Sequence, residues 1–187
     1  RQGDLENAAR FHRKAWDLDD RLYAARDQEA RIRLDQGRPA EALPLLEELP
    51  ATNPLVTMPN DIRIKILGHR ALALLALDLP EESLQTIDHL ARIAPDLGPE
   101  TDELAAKVRE AQIEALQATG RIEEAFEKAS SLPETDPLRG RIAVEAFLAR
   151  GDLVSAEKAL ETLGTQEDLD PLRARIALAR GEAAESS

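Results

Sequence analysis

Residues 37–54 read Gly37-Arg-Pro-Ala-Glu-Ala-Leu-Pro-Leu-Leu-Glu-Glu-Leu-Pro-Ala-Thr-Asn-Pro54, and the chain is organised around this unit. It begins with a turn glycine, continues with a short apolar helix that carries the small residue Ala42, and closes on a proline. The unit recurs along the chain. The closing residue lies 17 positions after the turn residue in the first four copies and 20 positions after it in the fifth. A constant length predicts one packed helix of constant geometry, repeated along the chain.

The copies share a turn residue, a small residue five positions later and a closing Asp or Pro. They are Gly3-Ala8-Asp20, Gly37-Ala42-Pro54, Asp78-Ser83-Pro95, Gly120-Ala125-Pro137 and Gly151-Ala156-Pro171. A second repeat supports them, because Asp136-Pro-Leu-Arg-Gly-Arg-Ile-Ala143 recurs 34 residues later as Asp170-Pro-Leu-Arg-Ala-Arg-Ile-Ala177. An Asp before a Pro predicts an N-cap followed by proline at the first helical position.

Composition predicts an all-α chain. Aromatic residues make up only 3% of the sequence, while Ala, Leu, Glu and Arg, which lose little rotamer freedom in helices, are frequent. The predicted helices cover residues 4–18, 21–36, 39–49, 60–77, 80–93, 100–119, 121–132, 137–150, 152–163 and 170–180. The last is expected to stop at Arg180, with Gly181 opening a shortened sixth copy. Each helix pair leaves an apolar face that the next pair covers.

This pattern resembles the tetratricopeptide repeat (TPR), a 34-residue helix–turn–helix, over nearly the whole chain. The resemblance implies one domain over residues 1–187, an α-solenoid in which antiparallel helix pairs form a right-handed superhelix. The pairs are expected at about 21–54, 60–95, 100–137 and 137–170, with partial repeats at 1–20 and 170–187. On the first helix of repeat two the sequence departs from the family, which expects an aromatic residue, a Leu, a small residue and another aromatic residue. These four positions hold Arg26, Glu29, Ala30 and Arg33.

The resemblance also implies a concave face that is lined by first helices, binds peptides or proteins, and performs no catalysis. Extending the TPR register to this chain gives a set of expected groove residues. They are Asp27, Gln28, Arg31, Lys65, His69, Lys107, Glu110, Glu114, Arg141 and Glu145. This mixed polar lining suits a peptide or protein surface better than a small apolar ligand.

Four arginines occupy equivalent positions on two first helices, namely Arg139, Arg141, Arg173 and Arg175. Arginine grips carboxylates through two hydrogen bonds, so this end of the chain is a candidate site for an acidic partner segment. The alternative is that the arginines pair with nearby Glu145, Glu161 or Glu167.

Charge and composition argue against several other functions. The net charge of −12 disfavours binding to nucleic acid or anionic lipid, and no apolar run is long enough to insert into a membrane. No cysteine is present, and His12, His69 and His89 lack the spacing of metal ligands. No phosphate-binding loop or nucleophile elbow occurs either. The sequence therefore predicts no metal site, no cofactor and no catalytic set.

The leading interpretation is a non-catalytic protein–protein interaction module. The chain opens on Arg1 without a leader, as expected for a segment of a larger protein, and the excess of Arg over Lys is typical of GC-rich bacterial genes. Two alternatives stay open: a structural or self-assembling segment of a larger bacterial assembly, for example in the envelope, and the docking domain of an enzyme whose catalytic part lies elsewhere. Phe11 and Trp16 are predicted either to pack on the next helix pair or to form an exposed patch. Such a patch would contact preceding repeats of a larger protein or a second copy of the chain.

Overall fold

A computed structural model describes residues 2–19, 22–47, 58–94, 103–163 and 169–185, and these ranges contain α-helices and no strand. The helices are α1 (Gln2–Leu18), α2 (Tyr23–Asp35), α3 (Pro39–Glu47), α4 (Asn60–Ala76), α5 (Pro80–Ile93), α6 (Glu103–Ala118), α7 (Ile122–Ala129), α8 (Pro137–Ala149), α9 (Leu153–Leu163) and α10 (Asp170–Glu185). Each corresponds to one predicted helix, which confirms the all-α class. Several predicted positions lie outside the described residues: Asp20, Leu49, Pro54, Pro95 and Glu167.

Four tight turns join helices at the predicted turn residues. Gly37, Gly120 and Gly151 have φ angles of 69°, 73° and 72°, and Asp78 has a φ of 61°. In the first turn the N–H of residue 38 donates to the carbonyl of residue 33 (2.8 Å), and the N–H of residue 37 donates to that of residue 34 (2.9 Å). The other three turns repeat this pair of bonds. They are Schellman caps, whose left-handed residue is usually Gly because it carries no Cβ.

The predicted end of the last helix is wrong. Helix α10 continues through Gly181 to Glu185, so no turn and no sixth copy begin at that glycine. Gly181 lacks the positive φ of the turn glycines, and the residues after it, Glu182-Ala-Ala-Glu185, are strong helix formers. One exposed helical glycine costs only about 1 kcal/mol, which is too little to stop such a helix. Similarly, Gly3 lies inside α1 rather than in a turn before it.

Helix α7 is shorter than expected and ends at Ala129 instead of residue 132. The hydroxyls of Ser130 and Ser131 donate to the carbonyls of Glu127 (2.6 Å) and Lys128 (2.8 Å). Short polar side chains that bond to nearby carbonyls compete with the helical pattern, which accounts for the early end.

The chain divides into two compact units, Arg1–Ala115 and Leu116–Ser187. In the first unit, α2 packs on α1, α3 and α4, and α4 packs on α3 and α5. Its core is formed by Ala30, Ala42, Leu45, Leu46, Met58, Ile66, Leu67, Ala71, Ala73, Ile87, Leu90 and Val108. The predicted small positions Ala42 and Ser83 are both fully buried, and the Ser83 hydroxyl donates to the Ala71 carbonyl at 2.9 Å. One repeat domain over residues 1–187 stays a prediction.

In the second unit, α8 packs on α7, α9 and α10. Its core cluster comprises Val144, Ala156, Leu169, Leu172 and Ile176. The predicted cap before α8 is confirmed, because the side chain of Asp136 accepts a hydrogen bond from the Leu138 N–H at 2.9 Å. Asp170 differs from it, since it is the first residue of α10 and accepts from the Arg173 guanidinium at 2.6 Å.

Substitution of two helical glycines in this unit by alanine is expected to change stability in opposite directions. A Cβ on Gly140 would lie 2.3 Å from Cδ2 and 2.9 Å from Cγ of Leu163, whereas a Cβ on Gly181 meets nothing within 4 Å. Gly140→Ala is therefore expected to lower the free energy of unfolding by about 1–3 kcal/mol through overpacking. Gly181→Ala should raise it by up to about 1 kcal/mol through helix propensity. Urea titration followed by circular dichroism measures both, and a stable Gly140→Ala variant would contradict the close α8–α9 contact.

Candidate functional site

One cavity lies between the first helices of three successive repeats. Its volume is about 330 Å³, and α2, α4 and α6 supply its walls. The lining residues are Gln28, Arg31, Asp35, Lys65, His69, Leu72, Glu103, Leu104 and Lys107. Five of them, Gln28, Arg31, Lys65, His69 and Lys107, are groove residues expected from the sequence. We call this space the α2–α4–α6 cavity.

Close contacts between helices hold the walls of the cavity in place. A Cβ on Gly68 of α4 would lie only 3.0 Å from Cδ2 of Leu104, so the glycine lets this part of α6 approach α4. Between α2 and α4 the contact is polar. His69 Nδ1 lies 2.7 Å from Asp27 Oδ1, and both residues are buried, with exposures of 5% and 1%. Gln28 Nε2 also donates to the second carboxylate oxygen of Asp27 at 3.4 Å.

The buried Asp27–His69 pair fixes the orientation of the histidine ring. A carboxylate only accepts hydrogen bonds, so the proton of this bond lies on Nδ1 of the ring. A buried carboxylate requires such a partner, because an unpaired buried charge is strongly unfavourable. Asp27, expected in the groove, therefore lies behind His69 and positions it, while His69 lines the cavity.

Charged side chains from α2, α4 and α6 line the cavity. Lys107 Nζ lies 2.7 Å from a carboxylate oxygen of Glu103, and this hydrogen bond raises the pKa of Lys107 and lowers the pKa of Glu103. Arg31 Nε donates to Gln28 at 3.1 Å, and an Nη lies 4.0 Å from Asp35. The remaining cation, Lys65, has no ion-pair partner among the residues that the structure describes. Exposed ion pairs of this kind contribute little stability, so the charges are available to a partner.

Solved structures with similar folds cover nearly the whole chain. One is the crystal structure of a proposed kinesin light chain from Podosopora anserina, which has nearly identical TPR-like repeats. It matches this chain with a TM-score of 0.54 and 16% sequence identity, and the match covers 97% of this chain and 89% of that one. BtubC (BKLC) from P. vanneervenii matches with a TM-score of 0.55 and 15% identity over 98% and 83%. The fold is a TPR-like helical repeat. No protein-family description and no curated protein matches the sequence.

The TPR-like fold confirms the resemblance. At 15–16% identity the likeness concerns the fold alone. The handedness of the predicted superhelix and the binding of a peptide or protein partner therefore stay predictions.

Repeat two has buried charges at two of the four family positions on its first helix: Glu29 where a Leu is expected, and Arg33 where the second aromatic residue is expected. Glu29 is fully buried, and it accepts hydrogen bonds from Arg13 (2.6 Å) and from Trp16 Nε1 (3.0 Å). Arg33 is 7% exposed and contacts both Glu29 (3.6 Å) and Glu6 (2.9 Å). This cluster ties α1 to α2. Sequence reasoning identified the departure from the family but not its meaning, because the partners lie on another helix.

Trp16 and Phe11 differ in their surroundings. Trp16 is half-buried and packs against the core of the first unit, with the Arg26 guanidinium 4.8 Å from its ring centroid. Burial is the main cause that lowers the pKa of Arg26. Phe11, in contrast, is 72% exposed. The two aromatic residues therefore do not form one exposed patch.

The remaining predicted site residues do not join the α2–α4–α6 cavity. Glu110 and Glu114 are exposed on α6. Arg139 donates to the Leu132 carbonyl at 2.7 Å, and Arg175 donates to Glu145 at 3.1 Å. Arg173 is bonded to Asp170, as described above, and Arg141 is half-buried on α8. Because these arginines make contacts within the chain, an acidic partner at this end stays a prediction.

Among the described residues, no helix is both long and apolar enough to cross a membrane. Within the same ranges, no group of three or more His, Cys, Asp or Glu side chains is arranged to hold a metal ion.

Proposed function

We propose that this chain is a non-catalytic protein-interaction module that binds a peptide or protein segment along α2, α4 and α6. The observation that carries the proposal is the convergence of five expected groove residues on one cavity. They come from three different repeats, and a repeat scaffold binds partners through such side chains of successive helices. The cavity is open, polar and charged, which suits a segment of another protein.

The chemistry of the lining supports binding rather than bond making. A buried Asp–His pair also occurs in hydrolases, where the histidine takes a proton from a serine or cysteine at hydrogen-bond distance. The nine described residues that line the cavity include no serine, threonine or cysteine. They offer hydrogen bonds, charges and two leucines, and these are groups that recognise a partner.

Site-specific photo-crosslinking tests the proposal. A benzoylphenylalanine placed at Leu72, which lines the cavity, is expected to capture a partner protein in the native cells. The same probe at Val154, which is 78% exposed on α9, serves as the control and should not capture that partner. Equal capture at both positions, or capture at Val154 alone, would contradict a binding site in the groove.

A second candidate function, self-assembly, is favoured by one observation. Phe11 and Leu18 on α1 are 72% and 88% exposed, and exposed large apolar side chains are typical of contact surfaces. A crosslinking probe at Phe11 that joins two copies of the chain, while Leu72 captures nothing, would support a scaffold role instead of the groove.

A further inference from the structure

His69 offers a hydrogen-bonding atom, Nε2, to a ligand of the α2–α4–α6 cavity. Because Nδ1 donates to Asp27, a neutral imidazole carries its lone pair on Nε2. Nε2 has no hydrogen-bond partner among the described residues, and the ring lines the cavity. A partner that fills the cavity must therefore donate a hydrogen bond at this point, or leave a buried acceptor unpaired.

The walls combine apolar and cationic groups. Leu72 and Leu104 supply the apolar contacts, and Arg31, Lys65 and Lys107 bring positive charge from three helices. Cations attract the faces of aromatic rings, because the ring carries negative charge density above and below its plane. The long stems of these side chains also cover apolar surface.

We propose that this cavity binds a tyrosine side chain of the partner segment. The phenol hydroxyl donates to His69 Nε2, one face of the ring packs against Leu72 and Leu104, and the cations contact the other face. The inference rests on the proposed function, since it names what the groove recognises. Asp27 acts through His69 and is a positioning residue.

Other side chains complement the cavity less well. A carboxylate would meet the lone pair of Nε2 and the carboxylates of Asp35 and Glu103. A lysine or arginine would face the three cations. An aliphatic side chain would leave Nε2 without a donor, and the loss of one such bond weakens binding about tenfold.

Nuclear magnetic resonance on the whole 187-residue chain tests the acceptor without any partner. The ¹⁵N shifts of the His69 ring at neutral pH are expected to show a protonated Nδ1 and an unprotonated Nε2. Titration with p-cresol, the tyrosine side chain in isolation, should move the Nε2 resonance toward a hydrogen-bonded value. Affinity for p-cresol should exceed that for toluene and for propionate by about tenfold. A ring protonated on both nitrogens, or a preference for propionate, would overturn the proposal.

A matched pair of variants assigns the effect to this histidine. His69→Phe should abolish the preference for p-cresol over toluene, while His89→Phe, at a half-buried histidine on α5, should keep it. If His69→Phe fails to fold, the ¹⁵N shifts of the unaltered chain still decide the question. If the crosslinking probe at Leu72 captures a partner but p-cresol does not bind, the tyrosine proposal fails and the interaction module stands. If p-cresol binds at His69 but the probe at Leu72 captures no protein, the proposed function fails instead.

Discussion

Replacement of Glu29 by alanine is expected to lower the free energy of unfolding by about 3–5 kcal/mol. The carboxylate is fully buried and holds Arg13, Trp16 Nε1 and Arg33 together. Its removal leaves the Trp16 indole N–H without its acceptor. It also takes the nearby carboxylate away from Arg33, which is 7% exposed and keeps its hydrogen bond to Glu6 at 2.9 Å. Desolvated donors without a partner are costly, and a cavity adds to the cost.

The matched control is Glu124→Ala. Glu124 pairs with Arg121 at 2.6 Å, the same distance as the Glu29–Arg13 pair, but both side chains are about half exposed. The hydrogen bond from Arg121 lowers the pKa of Glu124, yet solvent screening limits what such a pair contributes. We therefore expect this variant to lose little or no stability. Urea titrations at constant m-value give both numbers, and equal losses would show that burial of Glu29 does not stabilise the α1–α2 contact.

The helices and turns were predictable because local chemistry determines them. A glycine after an apolar helix, followed by a new helix, predicts a left-handed cap, and Gly37, Gly120 and Gly151 form such caps. Gly181 misled the prediction, since a glycine alone does not stop a helix when strong helix formers follow. The Asp-Pro pair before α8 predicted an N-cap, and Asp136 forms it in the structure.

Part of the cavity lining was predictable from the TPR register, but its internal arrangement was not. The resemblance placed Gln28, Lys65 and Lys107 on the expected groove, and the structure brings them to one cavity. Nothing local to Asp27 and His69 shows that they bond to each other, because 42 residues separate them. The same holds for Glu29, which becomes a core residue only through Arg13 and Trp16 of α1. Long-range pairing of polar side chains is set by packing, which no single helix encodes.

Reversal of two charges in the α2–α4–α6 cavity is expected to weaken partner binding by about tenfold to a hundredfold. Lys65→Glu and Lys107→Glu together replace two cations near the cavity with anions. An attraction to the ring face of a bound side chain becomes a repulsion, and the potential along the groove changes sign locally. Lys65 has no ion-pair partner among the described residues, so its reversal breaks no internal ion pair described there.

The control double variant is Lys14→Glu with Lys158→Glu. Both lysines are exposed, one on α1 and the other on α9, and neither lines the cavity. Two such reversals make the net charge of −12 more negative by four, as Lys65→Glu with Lys107→Glu does. Any difference between the two variants therefore reflects position and not total charge. Far-UV circular dichroism checks that both keep their helices.

If the proposed function is right, the first helices α2, α4 and α6 form the partner-binding surface. Isothermal titration calorimetry measures this with the partner captured by the probe at Leu72, using the unaltered chain and the two double variants. We expect Lys65→Glu with Lys107→Glu to weaken binding at least about tenfold, while Lys14→Glu with Lys158→Glu leaves it within about twofold. Equal affinities for the two variants would contradict the claim.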